Sequence, residues 1–201
     1  MAPGHDEDAA LMLRVQRGDL AAFETLVERH RQPVFNFIQR TLQNLEDTED
    51  LAQQVFLQAW KAAGRYRVTA RVSTWLFTIA RNLCLNEIRR RSRHPADSLD
   101  ATAPGDDDQP LRQYEDVRNF SPPDSLLHGE LEEKIEAALA ELPEKQRTAI
   151  LLCRGDELSY EQIAEVLECS VSATKSLIHR GRETLKQKLK PYLQTGAWKE
   201  K

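Results

Sequence analysis

Ser172, Lys175, Ser176, His179, Arg180 and Arg182 lie close together in SVSATKSLIHRGRETL. At helical spacing, hydroxyls, an imidazole and guanidinium groups on one side can hydrogen-bond to base edges in a major groove. Lys175 and Arg182, at the flanks, can reach phosphates. On a wheel of about 100° per residue the opposite side is apolar or small. Val171, Thr174, Ile178, Gly181, Leu185 and Leu189 form that stripe, with Gly181 allowing close helix approach. A solvated face is the plainer reading of such polarity, but the residues before it argue otherwise. Ser159 and Gln162 make a capping box, Tyr160–Leu167 a short helix, Glu168–Cys169 a turn, and Ser170 a second cap. Short helix, tight turn and basic helix make a helix-turn-helix.

A second basic set lies in YRVTARVSTWLFTIARNLCLNEIRRR. Arg67, Thr69 and Arg71 belong to a loop. Thr78, Arg81, Asn82 and Arg89 lie on the polar side of the helix after it, with Thr74 and Leu85, while Trp75 stands at the boundary and Arg90 belongs to the closing arginines. Val72, Leu76, Ile79, Ala80 and Leu83 make its core side. Glu87 is the only acid in the segment. Local positive charge attracts a phosphate backbone, and basic grooves with aromatic platforms bind single strands. Tyr66, beside the loop, is placed to help hold an extruded base. A helix lying on a membrane fits less well, because its large apolar residues are needed to close a helical core.

A third set differs in kind. Asp47, Asp50, Gln53, Gln54 and Gln58, with Glu49, form an acidic and amide-rich surface with no base among them, on EDLAQQVFLQAWKAA and its lead-in. It would repel nucleic acid and suits a protein partner. Phe56, Leu57 and Trp60 are candidate anchors, although Phe56 fits a core position equally well.

These sets need helices to carry them. The 201 residues are 40% hydrophobic and 30% charged, with no strand pattern and no internal repeat. The expected fold is all-α, two small helical domains joined by a flexible linker. Residues 1–93 form the first domain. Asp19 caps its second helix, Pro33 bends or breaks it, Asp47 caps the third and Gly64 ends it. Residues 94–125, rich in Pro, Asp, Ser and Gly, form the acidic linker. Residues 126–201 form the helix-turn-helix domain. Net charge is −4, so a nucleic-acid surface must be local.

No apolar run nears the roughly 20 residues of a membrane span, and MAPGHDEDAA is unlike a signal peptide. Cys84, Cys153 and Cys169 are odd in number and far apart, and the histidines are scattered. That implies reduced thiols in a cytoplasmic protein, with no structural metal and no cofactor. Nothing assembles a nucleophile, so no enzyme is expected.

DTEDLAQQVFLQAW, YRVTARVSTWLFTIARNLCLNEIRRR and LAELPEKQRTAILLCRGDELSYEQIAEVLECSVSATKSLIHRGRETLKQKL together resemble a bacterial RNA polymerase sigma factor of the compact extracytoplasmic-function (ECF) group. The resemblance covers both blocks in order. It implies that the third helix docks on core polymerase, at the β′ clamp helices, through Asp47, Asp50, Gln53, Gln54, Phe56 and Gln58. It implies that the loop and fourth helix hold the melting minus-ten element, with Asn82 at a position the family uses. The helix-turn-helix would read the minus-thirty-five element, near the β flap, and the linker would thread toward the polymerase channels. An anti-sigma factor is an implied partner. The family often has Glu where Gln54 stands, Gly where Glu168 stands and a basic residue where Leu177 stands. The rival reading is a stand-alone helix-turn-helix regulator, which leaves the first block's basic loop and acid-amide helix without a task.

Overall fold

The computed structural model describes residues 4–68, 70–93, 122–154 and 158–195, and helices make up nearly all of them. Thr69 and nearly all of the expected linker lie outside the described residues. The first block holds α1 (Gly4–Val15), α2 (Leu20–Leu42), α3 (Leu45–Ala62), a 3-10 turn (Ala63–Arg65) and α4 (Val72–Arg93). The second holds α5 (Pro122–Ala140), α6 (Glu144–Arg154), α7 (Tyr160–Leu167) and α8 (Val171–Thr195). Helix α5 thus begins four residues before the expected domain boundary at residue 126.

Asp19 caps α2 as expected, accepting from the Ala22 N–H at 3.1 Å. Pro33 does not break that helix, which runs from Leu20 to Leu42. Proline removes one backbone hydrogen bond. Here Leu26, Val34, Phe37 and Ile38 are buried on both sides of it, so one continuous packed face outweighs the loss. The cap of α3 is Asn44, not Asp47. The Asn44 side chain accepts from the Asp47 N–H at 3.1 Å, and Asp47 sits in the first turn, where a carboxylate suits the helix dipole. Gly64, expected to end α3, falls inside the 3-10 turn that follows it.

In the second block the capping box is complete. Gln162 Oε1 accepts from the Ser159 N–H at 2.7 Å, and Ser159 Oγ from the Gln162 N–H at 3.4 Å. Glu168 closes α7 in the left-handed region, with φ 52° and ψ 49°. Ser170 caps α8, its hydroxyl accepting from the Ala173 N–H at 3.2 Å. Gly181 lies against α6 so closely that a Cβ there would be 2.8 Å from Ile150 Cγ1.

The two blocks pack on each other. Buried side chains of both form one apolar cluster, from Met12 and Val15 of α1 to Val166 and Ile178 of α7 and α8. Helix α4 lies against α7 and α2 against α6. Phe77 meets Phe37 edge-on with centroids 5.5 Å apart, and both border a crevice shared with Leu151 and Leu152 of α6.

Candidate nucleic-acid interface

The basic face of α8 is open. Ser172, Lys175, Ser176, His179, Arg180 and Arg182 are all exposed, while Thr174, Ile178 and Gly181 are buried on the other side. Lys175, Ser176, His179 and Arg180 surround one shallow surface concavity. The Lys175 ammonium also stands 5.7 Å from the centre of the Tyr160 ring, which ties the start of α8 to α7. Arg182 Nη2 donates to Cys153 Sγ at 3.4 Å, so it leans back toward α6. Leu177 is half-buried.

On the loop and α4 the residues expected to face DNA are divided. Arg67, Asn82, Arg89 and Arg90 are exposed, and Arg71, Trp75 and Thr78 are half-buried. Arg81, expected to face DNA, is instead 8% exposed. Its Nε sits 3.4 Å from Glu144 Oε1 of α6, and its Nη1 donates to the Val166 carbonyl of α7 at 3.4 Å. Thr74, also expected to be outward, is buried, its hydroxyl accepting from Gln162 Nε2 at 3.1 Å. Both face the second block, and packing of α7 over this flank is the cause. What remains open is the stripe Trp75, Thr78, Asn82 and Arg89, on one flank of the helix.

The closing arginines are not equivalent. Glu87 accepts from Arg90 Nε at 2.8 Å and from Arg91 Nε at 2.9 Å. The Arg90 hydrogen bond holds the Glu87 carboxyl below its ordinary range despite partial burial. Arg91 also pairs with Asp47, joining α4 to α3. Asp47 is therefore an intramolecular partner before it is anything else. Arg89 is exposed and makes no ion pair among the described residues.

The loop before α4 is built differently from its expectation. Tyr66 is 7% exposed and cannot offer its ring to a base. Its hydroxyl donates to the Ala70 carbonyl at 2.6 Å, and its ring packs 5.6 Å from that of Trp75. Val68 is instead the apolar group the loop shows, at 49% exposure.

On α3, Asp50, Gln53, Gln54 and Gln58 are exposed together. Phe56 is 8% exposed, which settles it as core, while Leu57 and Trp60 stay accessible. Phe56 still lines the floor of a groove of about 440 Å³ between α2 and α3, with Val27, Phe35, Glu49 and Gln53 around it. Burial pushes the Cys84 thiol up to about 12, so it stays protonated and unreactive near neutral pH.

Two family descriptions match the parts of the chain that carry the basic α8 face, the basic loop with α4, and the acid-amide α3. Sigma-70 region 2 covers residues 26–94, and Sigma-70, region 4 covers residues 132–185. The chain is 36% identical over 192 residues to the RNA polymerase sigma-H factor of Pseudomonas aeruginosa, spanning 94% of this chain and 96% of that one. It is 33% identical to the ECF RNA polymerase sigma factor SigW of Bacillus subtilis, over 88% and 94% of the two chains. The chain belongs to the ECF RNA polymerase sigma factors. Sigma factors of this kind are DNA-binding initiation factors, and this one directs promoter-specific transcription initiation by RNA polymerase. Its fold is also that of the sigma factor RpoE solved in complex with the anti-sigma factor NepR from Bartonella quintana. The TM-score is 0.64 at 26% identity, over 84% of this chain and 96% of that one. Among its described residues, no helix is long and apolar enough to cross a membrane.

Three residues of this sigma factor make long-range bonds that carry no sequence signal. Gln16 donates to carbonyls 47 and 50 residues away, Arg147 to the Thr41 carbonyl at 3.2 Å, and Gln162 to Thr74. Each joins elements far apart in the chain, and periodicity carries no information on such pairs.

Proposed function

We propose a division of labour among the three surfaces. The α3 face, through Asp50, Gln53, Gln54 and Gln58 with Leu57 and Trp60 as apolar contacts, docks on core polymerase at the β′ clamp helices. The loop Arg67–Arg71 and the open stripe of α4, Trp75, Thr78, Asn82 and Arg89, hold the non-template strand of the minus-ten element as it separates. Arg90, bridged to Glu87, contributes charge near that path. Arg81 and Thr74 join the two domains rather than contacting DNA in this arrangement. The α8 face reads the minus-thirty-five element as duplex through Ser172, Lys175, Ser176, His179 and Arg180, with Arg182 toward the phosphates and the domain near the β flap.

The domains that carry this are residues 1–93 and 126–201, with α5 reaching back to Pro122. An anti-sigma factor that covers the α3 face or the second domain is the regulatory partner this reading implies, and the protein works in the cytoplasm.

The observation that carries the reading is the sorting of charge by surface. Asp50, Gln53, Gln54 and Gln58 are exposed together on α3, whereas Arg67, Arg89 and Arg90 are exposed on the loop and α4, and Lys175, His179, Arg180 and Arg182 on α8. DNA is a polyanion, so the two kinds of surface serve different partners. The test is transcription from a random promoter library by core polymerase loaded with this protein, followed by sequencing of transcript starts. Initiation at one shared two-part promoter, dependent on both core and this protein, is the expected result. Tight sequence-specific DNA binding without core would favour a stand-alone regulator instead.

A further inference from the structure

The loop between the 3-10 turn and α4 is tied down from inside the protein. Gln16, just past the end of α1, donates through one amide nitrogen to two carbonyls, Ala63 O at 3.0 Å and Tyr66 O at 2.9 Å. Both hydrogens of that amide are thereby used. Tyr66 then turns its ring under the loop, and its hydroxyl donates to the Ala70 carbonyl at 2.6 Å. The Ala70 N–H closes the turn onto the Arg67 carbonyl at 3.1 Å. The Tyr66 ring packs on Trp75, the first open residue of the α4 stripe. A continuous chain of contacts thus runs from α1 through the loop to the helix proposed to hold the separated strand.

Gln16 stands on a firm base. Its own N–H donates to the Met12 carbonyl at 3.0 Å, and Met12 and Val15 are buried at 1% and 4% exposure. The carbonyls it grips belong to a turn whose own bonds are few. Ala63 O takes only the Tyr66 N–H besides, and Gln16 is the only group donating to Tyr66 O in the described structure. The Gln16 side chain is itself exposed, so the contact adds nothing to the apolar core. Its effect falls on the loop.

We propose that Gln16 is a positioning residue for promoter opening, and that α1 works through it by holding Tyr66, Arg67, Val68, Ala70 and Arg71 of the loop in a base-receiving shape. The inference rests on the reading of that loop as the place where a melted base is held. A loop that must be ordered at the moment of binding gives up affinity to the entropy of ordering, whereas a loop ordered beforehand does not. Gln16 does not touch DNA. It places Arg67 and Val68, which are exposed on the loop, and Arg71 at its far end.

The experiment uses holoenzyme made from core polymerase and full-length protein carrying Gln16→Ala or Gln16→Glu. The second keeps the size of the side chain but donates no hydrogen bond. Each is titrated on a promoter with a preformed bubble over the minus-ten element, and on the same bubble with an abasic nucleotide at each non-template position in turn. Loading on core is measured in parallel. Wild-type protein should lose affinity at one abasic position, the one whose base the loop holds. Both variants should load on core as wild type does, bind the intact bubble roughly threefold to tenfold more weakly, and bind the bubble abasic at that position equally well as wild type. Gln16→Asn, one methylene shorter, should fall between. Equal weakening on every template would make Gln16 a general structural staple and overturn the proposal. So would wild-type affinity for the intact bubble. If wild-type protein shows no sensitive position at all, the underlying reading of the loop fails, and that outcome is separate from the first two.

Discussion

Arg81 of α4 and Glu144 of α6 face each other across the junction of the two domains, Nε to Oε1 at 3.4 Å. The contact lacks hydrogen-bond geometry at Nε, which finds no partner of its own. The Nη1 bond to the Val166 carbonyl and the neighbouring Gln162–Thr74 bond complete the junction. Removing the acid leaves a guanidinium buried without its anion, a loss of about 1 kcal/mol for a pair this exposed on the Glu144 side. Glu144→Ala should therefore loosen the packing of α7 on α4. Hydrogen exchange should speed up at α7 amides more than at α3 amides. Equal protection at both would show that Arg81 needs no counter-charge here.

Asn82 lies on the flank of α4 that the second domain leaves open. Asn82→Ala should impair strand separation by about 1–2 kcal/mol, near tenfold, while duplex binding by the holoenzyme changes little. Permanganate reactivity of minus-ten thymines, set beside filter binding of the closed complex, separates the two. An equal loss in both assays would remove Asn82 from the opening step.

The helix-turn-helix was the more legible half. Its capping box, turn and two-sided α8 all follow from local pattern, and the exposure of Ser172, Ser176, His179 and Arg180 matches the wheel residue by residue. Helix α4 was legible only in part. A wheel finds the side that meets α2 and α3, but it cannot know that a second domain, more than fifty residues on, will cover Thr74 and Arg81 as well. Tyr66 misled for a similar reason. An aromatic in a basic loop suggests stacking, yet its ring fills the space beside Trp75 and its hydroxyl serves the loop's own backbone. The cap of α3 was displaced by three residues because Asn44 and Asp47 both suit a helix start, and only the backbone decides between them.

Arg180 and His179 sit in the concavity on the outer face of α8. Arg180→Ala should relax the preference at one minus-thirty-five base pair, with discrimination there falling by about 1–3 kcal/mol, and leave loading on core intact. Selection from a library randomised over that element reads it directly. Arg182→Ala, at the phosphate side, should weaken binding evenly across sequences and flatten its salt dependence. An unaltered base preference in Arg180→Ala would place the reading surface elsewhere on α8.

Glu168 ends α7 at φ 52°, where a side chain is strained and glycine is not. Its N–H still closes the helix, 3.2 Å from the Glu165 carbonyl. Glu168→Gly should relieve that strain, partly offset by the greater freedom glycine has when unfolded, for a net gain of about 0.5–1 kcal/mol. A rise of a few degrees in Tm is the expected readout. A fall would mean that the Glu168 side chain contributes something its exposure does not reveal.

Asp8 gives the fold a dependence on acid. Its Oδ2 pairs with His30 Nε2 at 2.8 Å, and Oδ1 accepts from Arg29 Nη1 at 2.6 Å. Burial alone would raise the carboxyl. The bonds from His30 and then Arg29 outweigh it and hold the group below its ordinary value of 3.8. In the window between the lowered folded value and the unfolded value, the unfolded chain binds more protons, so stability rises with pH there. The contribution is complete above the unfolded value and disappears as pH falls through the folded one. Asp8→Asn, which keeps the shape but not the charge, should cost about 1–3 kcal/mol near pH 7. Urea unfolding should show that gap closing as pH drops from about 5 toward about 2. A gap that stays constant over that range would mean the charge of Asp8 adds nothing, and that the α1–α2 contact rests on packing alone.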